Sequence, residues 1–214
     1  MTYGNCVARV KGRYEHLFDI FGEEPELLAE QALVSKELRA IVSTVLGTDE
    51  IRLEIGGVPA MPNAPVGRYH RDTFDLFGDQ VDTQLPPWYL TLVIPLVDAV
   101  DDQQGTMPFE ARRMSFTGSI VLTFCRDGIP GPTSFLLGTH RVPVNRLGDE
   151  SKWQGEKAYL KAGQAALFDG RIIHRGEANN TSSIRPFLFM VFTAPWYIDK
   201  EADQLDRLSA SPVA

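Results

Sequence analysis

Apolar residues return at Val34, Leu38, Ile41, Val42 and Val45, three or four positions apart, the spacing that gathers them on one side of an α-helix. Pro25 suits a first helical turn and Gly47 suits a stop, so the pattern predicts an amphipathic helix over residues 24–46, its apolar stripe buried on the rest of the domain. The period then changes. Ile51-Arg52-Leu53-Glu54-Ile55 alternates apolar and polar, which predicts a strand with one wet face, and Gly56-Gly57 with the proline-rich stretch to Pro65 predicts a loop. Beyond it β signals dominate: residues 88–97, 119–125, 164–168, 171–175 and 186–193 are rich in β-branched and aromatic side chains. Turn chemistry divides them, with Asp169-Gly170 between two strands and residues 179–183 before the last. A helical amino-terminal part over residues 12–47, followed by many short strands, predicts a mainly β fold with flanking α-helices, a two-sheet sandwich or jelly roll.

Length and charge narrow the picture. At 214 residues the chain is read as a single domain, 1–214, without repeat or linker. A net charge of −7 works against nonspecific nucleic-acid binding, which relies on Lys and Arg to displace counterions, and favours a small-molecule substrate. The longest nearly apolar run, 186–198, is shorter than the roughly 20 residues a helix needs to cross a bilayer. The amino end has no apolar run behind its basic residues, and the two cysteines, Cys6 and Cys125, make no disulfide framework, so a cytoplasmic protein is expected. The glycosylation sequons at Asn179 and Asn180 then mark only a polar loop.

The stretch Arg68-Tyr69-His70-Arg71-Asp72 resembles a kinase catalytic loop only superficially. Phe77 stands where the magnesium-binding Asn would be, and no glycine-rich loop precedes it. In an extended chain, however, the residues flanking one position share a face, so His70 and Asp72 can reach one metal ion. The chain has four histidines. Of these, His174 lies on the predicted strand 171–175, where alternation groups it with Ile172 and Gly176. Two imidazoles and one carboxylate can occupy one face of an octahedral ferrous ion and leave three positions for a chelating cosubstrate and dioxygen. Arg185, eleven residues after His174, offers a planar donor pair to the far end of a dicarboxylic acid. An inward-facing Arg beside so apolar a strand calls for an anionic partner, although a surface pairing with a carboxylate such as Glu177 is the plainer alternative.

His70, Asp72, His174 and Arg185 match, in order and spacing, the motif of the phytanoyl-CoA dioxygenase family of Fe(II)- and 2-oxoglutarate-dependent oxygenases. The phrase Gly131-Pro132-Thr133-Ser134-Phe135-Leu136-Leu137-Gly138-Thr139-His140-Arg141 is similar to that family's segment before its distal-histidine strand. The resemblance runs from Gly67 to Tyr197. It implies a double-stranded β-helix of cupin-like kind, with His70, Asp72 and His174 as iron ligands and Arg185 binding 2-oxoglutarate. The implied reaction consumes dioxygen, converts 2-oxoglutarate to succinate and carbon dioxide, and hydroxylates or otherwise oxidises an unactivated carbon. Asp72 argues against the halogenating branch, whose members carry Gly or Ala at that position. The sequence departs from the family in having Gly176 where some relatives have a cosubstrate-binding Ser, in an extra segment over residues 103–130, and in a short helical region before the first strand.

The remaining candidates receive plainer roles. His16 reads as structural, and His140 as fixing a loop by hydrogen bonding. Arg71 should point away from the metal. Phe74 and Phe77 follow the ligand pair closely enough to border a substrate cavity, and the Asp98, Asp101, Asp102 cluster reads as a solvated turn. Two other functions fit the same residues: a cupin-like enzyme using its metal as a Lewis acid, and a catalytically silent subunit of a homo- or hetero-oligomer.

Overall fold

The helix begins later than its periodicity suggests. A computed structural model of the chain describes residues 6–17, 34–97, 112–116, 119–123, 132–162 and 164–198, and within them helix α1 is Lys36–Leu46. Ser35 caps it, the hydroxyl accepting the Leu38 N–H at 3.2 Å. Gly47 ends it in the left-handed region at φ 71°, its N–H donated to the Ser43 carbonyl. The earlier part of the predicted helix, 24–33, lies outside the described residues.

The amino-terminal part is not helical from residue 12. Strands β1 (Cys6–Val10) and β2 (Arg13–Leu17) form an antiparallel hairpin. The turn at Lys11-Gly12 uses a glycine at φ 76°, which costs a residue without Cβ little. Strand β2 pairs onward with β3 (Arg52–Ala60), so a neighbouring strand decides its conformation where local pattern does not. The expected loop at Gly56-Gly57 is also strand, because β3 has partners on both sides: Gly56 faces Leu17 and Phe189, and Gly57 faces His16 and Leu188.

The other strands are β4 (Tyr89–Pro95), β5 (Arg112–Phe116), β6 (Ser119–Thr123), β7 (Thr133–Leu136), β8 (Glu156–Ala158), β9 (Ala166–Asp169), β10 (Ile173–Gly176) and β11 (Arg185–Thr193), with a short helix α2 at Asp79–Asp82. The chain is thus mainly β. Eight strands make one sheet in the order β1-β2-β3-β11-β4-β9-β6-β5, and three make a second in the order β10-β7-β8. The described part of the extra segment is the β5–β6 hairpin, joined to β9 through Leu122 opposite Leu167.

Strand alternation separates two cores. Leu53 and Ile55 of β3, Leu90 and Leu92 of β4, Leu167 of β9 and Met190 and Phe192 of β11 form one layer, which α1 covers with Val42 and Leu46. The intervening residues face the other way. Val93, Ala166, Phe168, Phe187 and Phe189 pack against Phe135 and Ala158 of the smaller sheet. Every residue discussed below as a possible ligand or anchor belongs to this second, inter-sheet side.

The segment from Ala60 to Asp72 carries the HxD motif and is fixed along β10. Gly67 donates its N–H to the Gly176 carbonyl, His70 and His174 exchange both backbone hydrogen bonds at 2.9 Å, and Asp72 donates to Gly170 at 2.8 Å. Asn179, fully buried, donates from its side-chain amide to the carbonyls of Ala60, Met61 and Ser183. The end of β3 is thereby tied to the β10–β11 connection. Beyond Asp72, Thr73 shares a 2.9 Å hydrogen bond with the Tyr197 hydroxyl, and Arg171 pairs with Asp169 while stacking over Trp88.

Candidate metal centre

The backbone pairing of His70 with His174 sets two imidazoles side by side, their ring centroids 4.4 Å apart. Asp72 completes the group. His174 Nε2 lies 3.3 Å and His70 Nε2 3.6 Å from Asp72 Oδ1, and the three ligand atoms all lie within 4.8 Å of one another. Exposure grades across the group: His70 is exposed, Asp72 half-buried and His174 buried. One side of the cluster opens outward while the other rests on Phe135 and Phe168, whose rings lie 5.8 and 4.8 Å from that of His174.

The second ring nitrogens and the second carboxylate oxygen are already committed. His70 Nδ1 is 3.0 Å from the Arg68 carbonyl, and His174 Nδ1 is 3.0 Å from the Ile172 carbonyl. A carbonyl only accepts, so each Nδ1 is the donor there and each Nε2 is the ring atom that faces Asp72. Thr91 of β4 donates from its hydroxyl to Asp72 Oδ2 at 2.7 Å, which leaves Oδ1 facing the imidazoles. Burial pushes the His174 imidazolium below its ordinary pKa; the Asp72 carboxylate opposes this and the neighbouring His70 adds to it. A neutral, oriented His174 results. Two imidazole nitrogens and one carboxylate oxygen converging with their outer partners in place form a donor set that fits a divalent transition metal with positions left open.

Arg185, the fourth residue singled out by the sequence, opens β11 and is buried at 8% exposure. Its Nη2 donates to the backbone carbonyl of Glu177 at 3.5 Å. The Glu177 carboxylate engages Arg175 at 2.9 Å and Lys157 at 3.7 Å. Burial, and then the proximity of Arg13, bring its pKa down to about 10.

Other expectations sort as follows. Arg71 turns from the cluster and donates to the carbonyls of Thr139 and Val142. His140 is buried, accepts the Arg141 Nε–H at 3.2 Å, and has its pKa pushed down to about 4, chiefly by burial. Phe74 and Phe77 are solvent-exposed. Residues 179–183 form the expected polar connection, with Asn180, Ser182 and Ser183 exposed, but Asn179 itself is fully buried. The side chain of His16, and Cys125 and Asp98, Asp101 and Asp102, lie outside the described residues. Sequence reasoning missed Thr91, whose only signal is a polar residue on the inter-sheet side of an otherwise apolar strand.

No protein-family model matches the sequence, and no curated protein does. Solved structures do match. The α-ketoglutarate-dependent non-heme epimerase SnoN of nogalamycin biosynthesis aligns with a TM-score of 0.58 at 16% identity, covering 98% of this chain and 75% of its own. HygX from Streptomyces hygroscopicus, solved with nickel and 2-oxoglutarate, aligns with a TM-score of 0.59 at 14% identity, covering 91% of this chain and 75% of its own. The chain shares their fold. EvdMO1 aligns with a TM-score of 0.51 at 16% identity over 78% of this chain, which spans only 33% of EvdMO1. Among the described residues no helix is long and apolar enough to cross a membrane.

Proposed function

We propose that the chain is an Fe(II)- and 2-oxoglutarate-dependent oxygenase of the phytanoyl-CoA dioxygenase kind, a single domain built as a double-stranded β-helix. It acts in the cytoplasm on a small molecule such as a natural-product intermediate, with no nucleic-acid or membrane partner. The observation that carries the proposal is the convergence of His70 Nε2, His174 Nε2 and Asp72 Oδ1 within 4.8 Å, with Arg68, Ile172 and Thr91 fixing their outer atoms. The likeness in fold to SnoN, solved with Fe3+ and α-ketoglutarate, and to HygX supports it.

His70, Asp72 and His174 would hold the iron, and Arg185 the distal carboxylate of 2-oxoglutarate. When bound, the metal and cosubstrate supply the oxidative decarboxylation that yields succinate and carbon dioxide and activates dioxygen toward an unactivated carbon–hydrogen bond. Thr91 keeps Asp72 Oδ2 occupied, so the carboxylate offers one oxygen and a coordination position stays open. Phe135 and Phe168 exclude water behind His174, and the exposed His70 edge leaves the outward side for substrate.

Anaerobic addition of Fe(II) and 2-oxoglutarate tests the assignment: a weak visible charge-transfer band should appear in the wild type and be lost in His174→Ala. Succinate formed at the wild-type rate by that variant would refute it. Because SnoN is an epimerase, the product's mass decides the outcome of the shared chemistry, rising by one oxygen on hydroxylation and staying unchanged on epimerisation.

A further inference from the structure

The turn that follows β7 touches both chain segments that carry the metal-centre residues. Strand β10 has the segment of His70 and Asp72 along one edge and β7 along the other. Past Leu136, the last residue of β7, the chain turns at Gly138, whose φ of 83° suits a residue without Cβ, into a short 3₁₀ turn at Thr139–Arg141. The Thr139 hydroxyl donates to the Leu136 carbonyl at 2.7 Å and accepts the Ile173 N–H at 2.9 Å. It bridges the two strands at Leu136 and Ile173, the pair with which their own ladder ends. Ile173 immediately precedes His174.

Arg71 reaches the same turn from the opposite edge of β10. Its Nη2 donates to the carbonyls of Thr139 and Val142, each at 2.9 Å. A charged donor makes such bonds stronger than those between neutral backbone groups. Its Nη1 lies 3.6 Å from Asp75 Oδ1, and the side chain is only 11% exposed. Arg71 stands between His70 and Asp72 in the chain and turns away from the cluster, so one short segment presents two ligands on one side and this grip on the other. The backbone bonds of Gly67, His70 and Asp72 run along a single edge of that segment. A strand held along one edge can still twist about it, and twisting moves His70 and Asp72 against His174. A hold on the turn beyond β10 opposes that motion.

We infer that Arg71 and Thr139 are positioning residues for the metal centre, a clasp across β10 that sets His70 and Asp72 against His174. The inference rests on the metal-centre reading above. Whereas Thr91 orients one carboxylate oxygen, the clasp fixes two ligand-bearing segments relative to each other, which metal sites need to within a fraction of an ångström.

The test uses Co(II), a spectroscopic stand-in for Fe(II), titrated into the full chain and its variants. Thr139→Val and Arg71→Met should each bind Co(II) roughly tenfold or more weakly and, at saturation, show altered ligand-field absorption. Thr139→Ser and Arg71→Lys, which keep the hydroxyl and the charged donor, should restore most of both. Val42→Ala, which opens a cavity in the other core, should lose stability yet keep the wild-type affinity and spectrum. A second readout needs no metal. In the metal-free protein the His174 N–H, bonded to the His70 carbonyl, should exchange with solvent roughly tenfold faster in Thr139→Val and Arg71→Met than in the wild type. Arg71→Met keeps the Thr139 bridge and carries the test if Thr139→Val does not fold. Wild-type affinity, spectrum and exchange in Arg71→Met, or an equal loss of Co(II) affinity in Val42→Ala, would overturn the clasp. A wild type that binds neither Co(II) nor Fe(II), with the exchange difference intact, would overturn the metal-centre reading instead.

Discussion

Thr91 shows how much of the centre depends on a side chain that would touch no metal. Its hydroxyl occupies Asp72 Oδ2 from a buried position on β4. Thr91→Val keeps shape and burial but frees that oxygen to rotate toward the imidazoles. Outer partners of this kind are typically worth about ten- to a hundredfold in metal affinity. The variant should therefore fold as the wild type does and bind Fe(II) about ten- to a hundredfold more weakly, as read by metal titration. His140 makes a second residue-scale prediction, for the metal-free protein. Its folded pKa is pushed down to about 4 while the unfolded chain titrates near 6.5. Between those values the unfolded state binds the extra proton, so stability is full above about pH 6.5 and falls as pH drops toward about 4. The lowered pKa of His174 acts in the same direction. Denaturant unfolding at pH 7 and pH 5 should show the loss, and His140→Gln should make it smaller.

Between elements, Asn179 joins what the sheets leave separate. One buried amide serves the end of β3 through Ala60 and Met61 and the approach to β11 through Ser183. Asn179→Ala would leave three carbonyls without that donor, at about 2–3 kcal/mol, lowering the melting temperature by about 5–10 °C in a domain of this size. The sequence presents Asn179 as part of a sequon in a polar turn, because two of its three carbonyl partners, Ala60 and Met61, are more than a hundred positions away. The same reason explains the other misreadings. Helix α1 was legible from Leu38, Ile41, Val42 and Val45 because a helix repeats locally, and β4 and β11 were legible from their apolar runs. Strand β2 was not, since Arg13-Tyr14-Glu15-His16-Leu17 has no strand pattern of its own and takes its form from β3. Gly56 and Gly57 look like punctuation until the ladders on either side of them are known. The HxD pair, His174 and Arg185 stood out because they occur at a recognisable spacing.

At the scale of the molecule, an acidic chain of net charge −7 carries the buried Arg13 and Arg185 and the buried His174 on one side of the larger sheet. On the proposed reading, attraction of an anionic cosubstrate would come from this local arrangement, since the average charge of the surface opposes it. The near end of 2-oxoglutarate would chelate the metal and the far end would meet Arg185, so neither contact alone holds the molecule firmly. This makes stabilisation conditional. A ligand that binds only the folded state at about a hundred times its dissociation constant adds about 2.7 kcal/mol, or about 5–10 °C in melting temperature for a chain of this length. 2-Oxoglutarate with Fe(II), in the absence of oxygen, should therefore raise the melting temperature by that amount beyond Fe(II) alone. The same concentration without metal should raise it far less, and Asp72→Ala should remove the difference. An enzyme using its metal only as a Lewis acid would be stabilised by the metal and indifferent to 2-oxoglutarate, so equal melting curves with and without the cosubstrate would favour that reading.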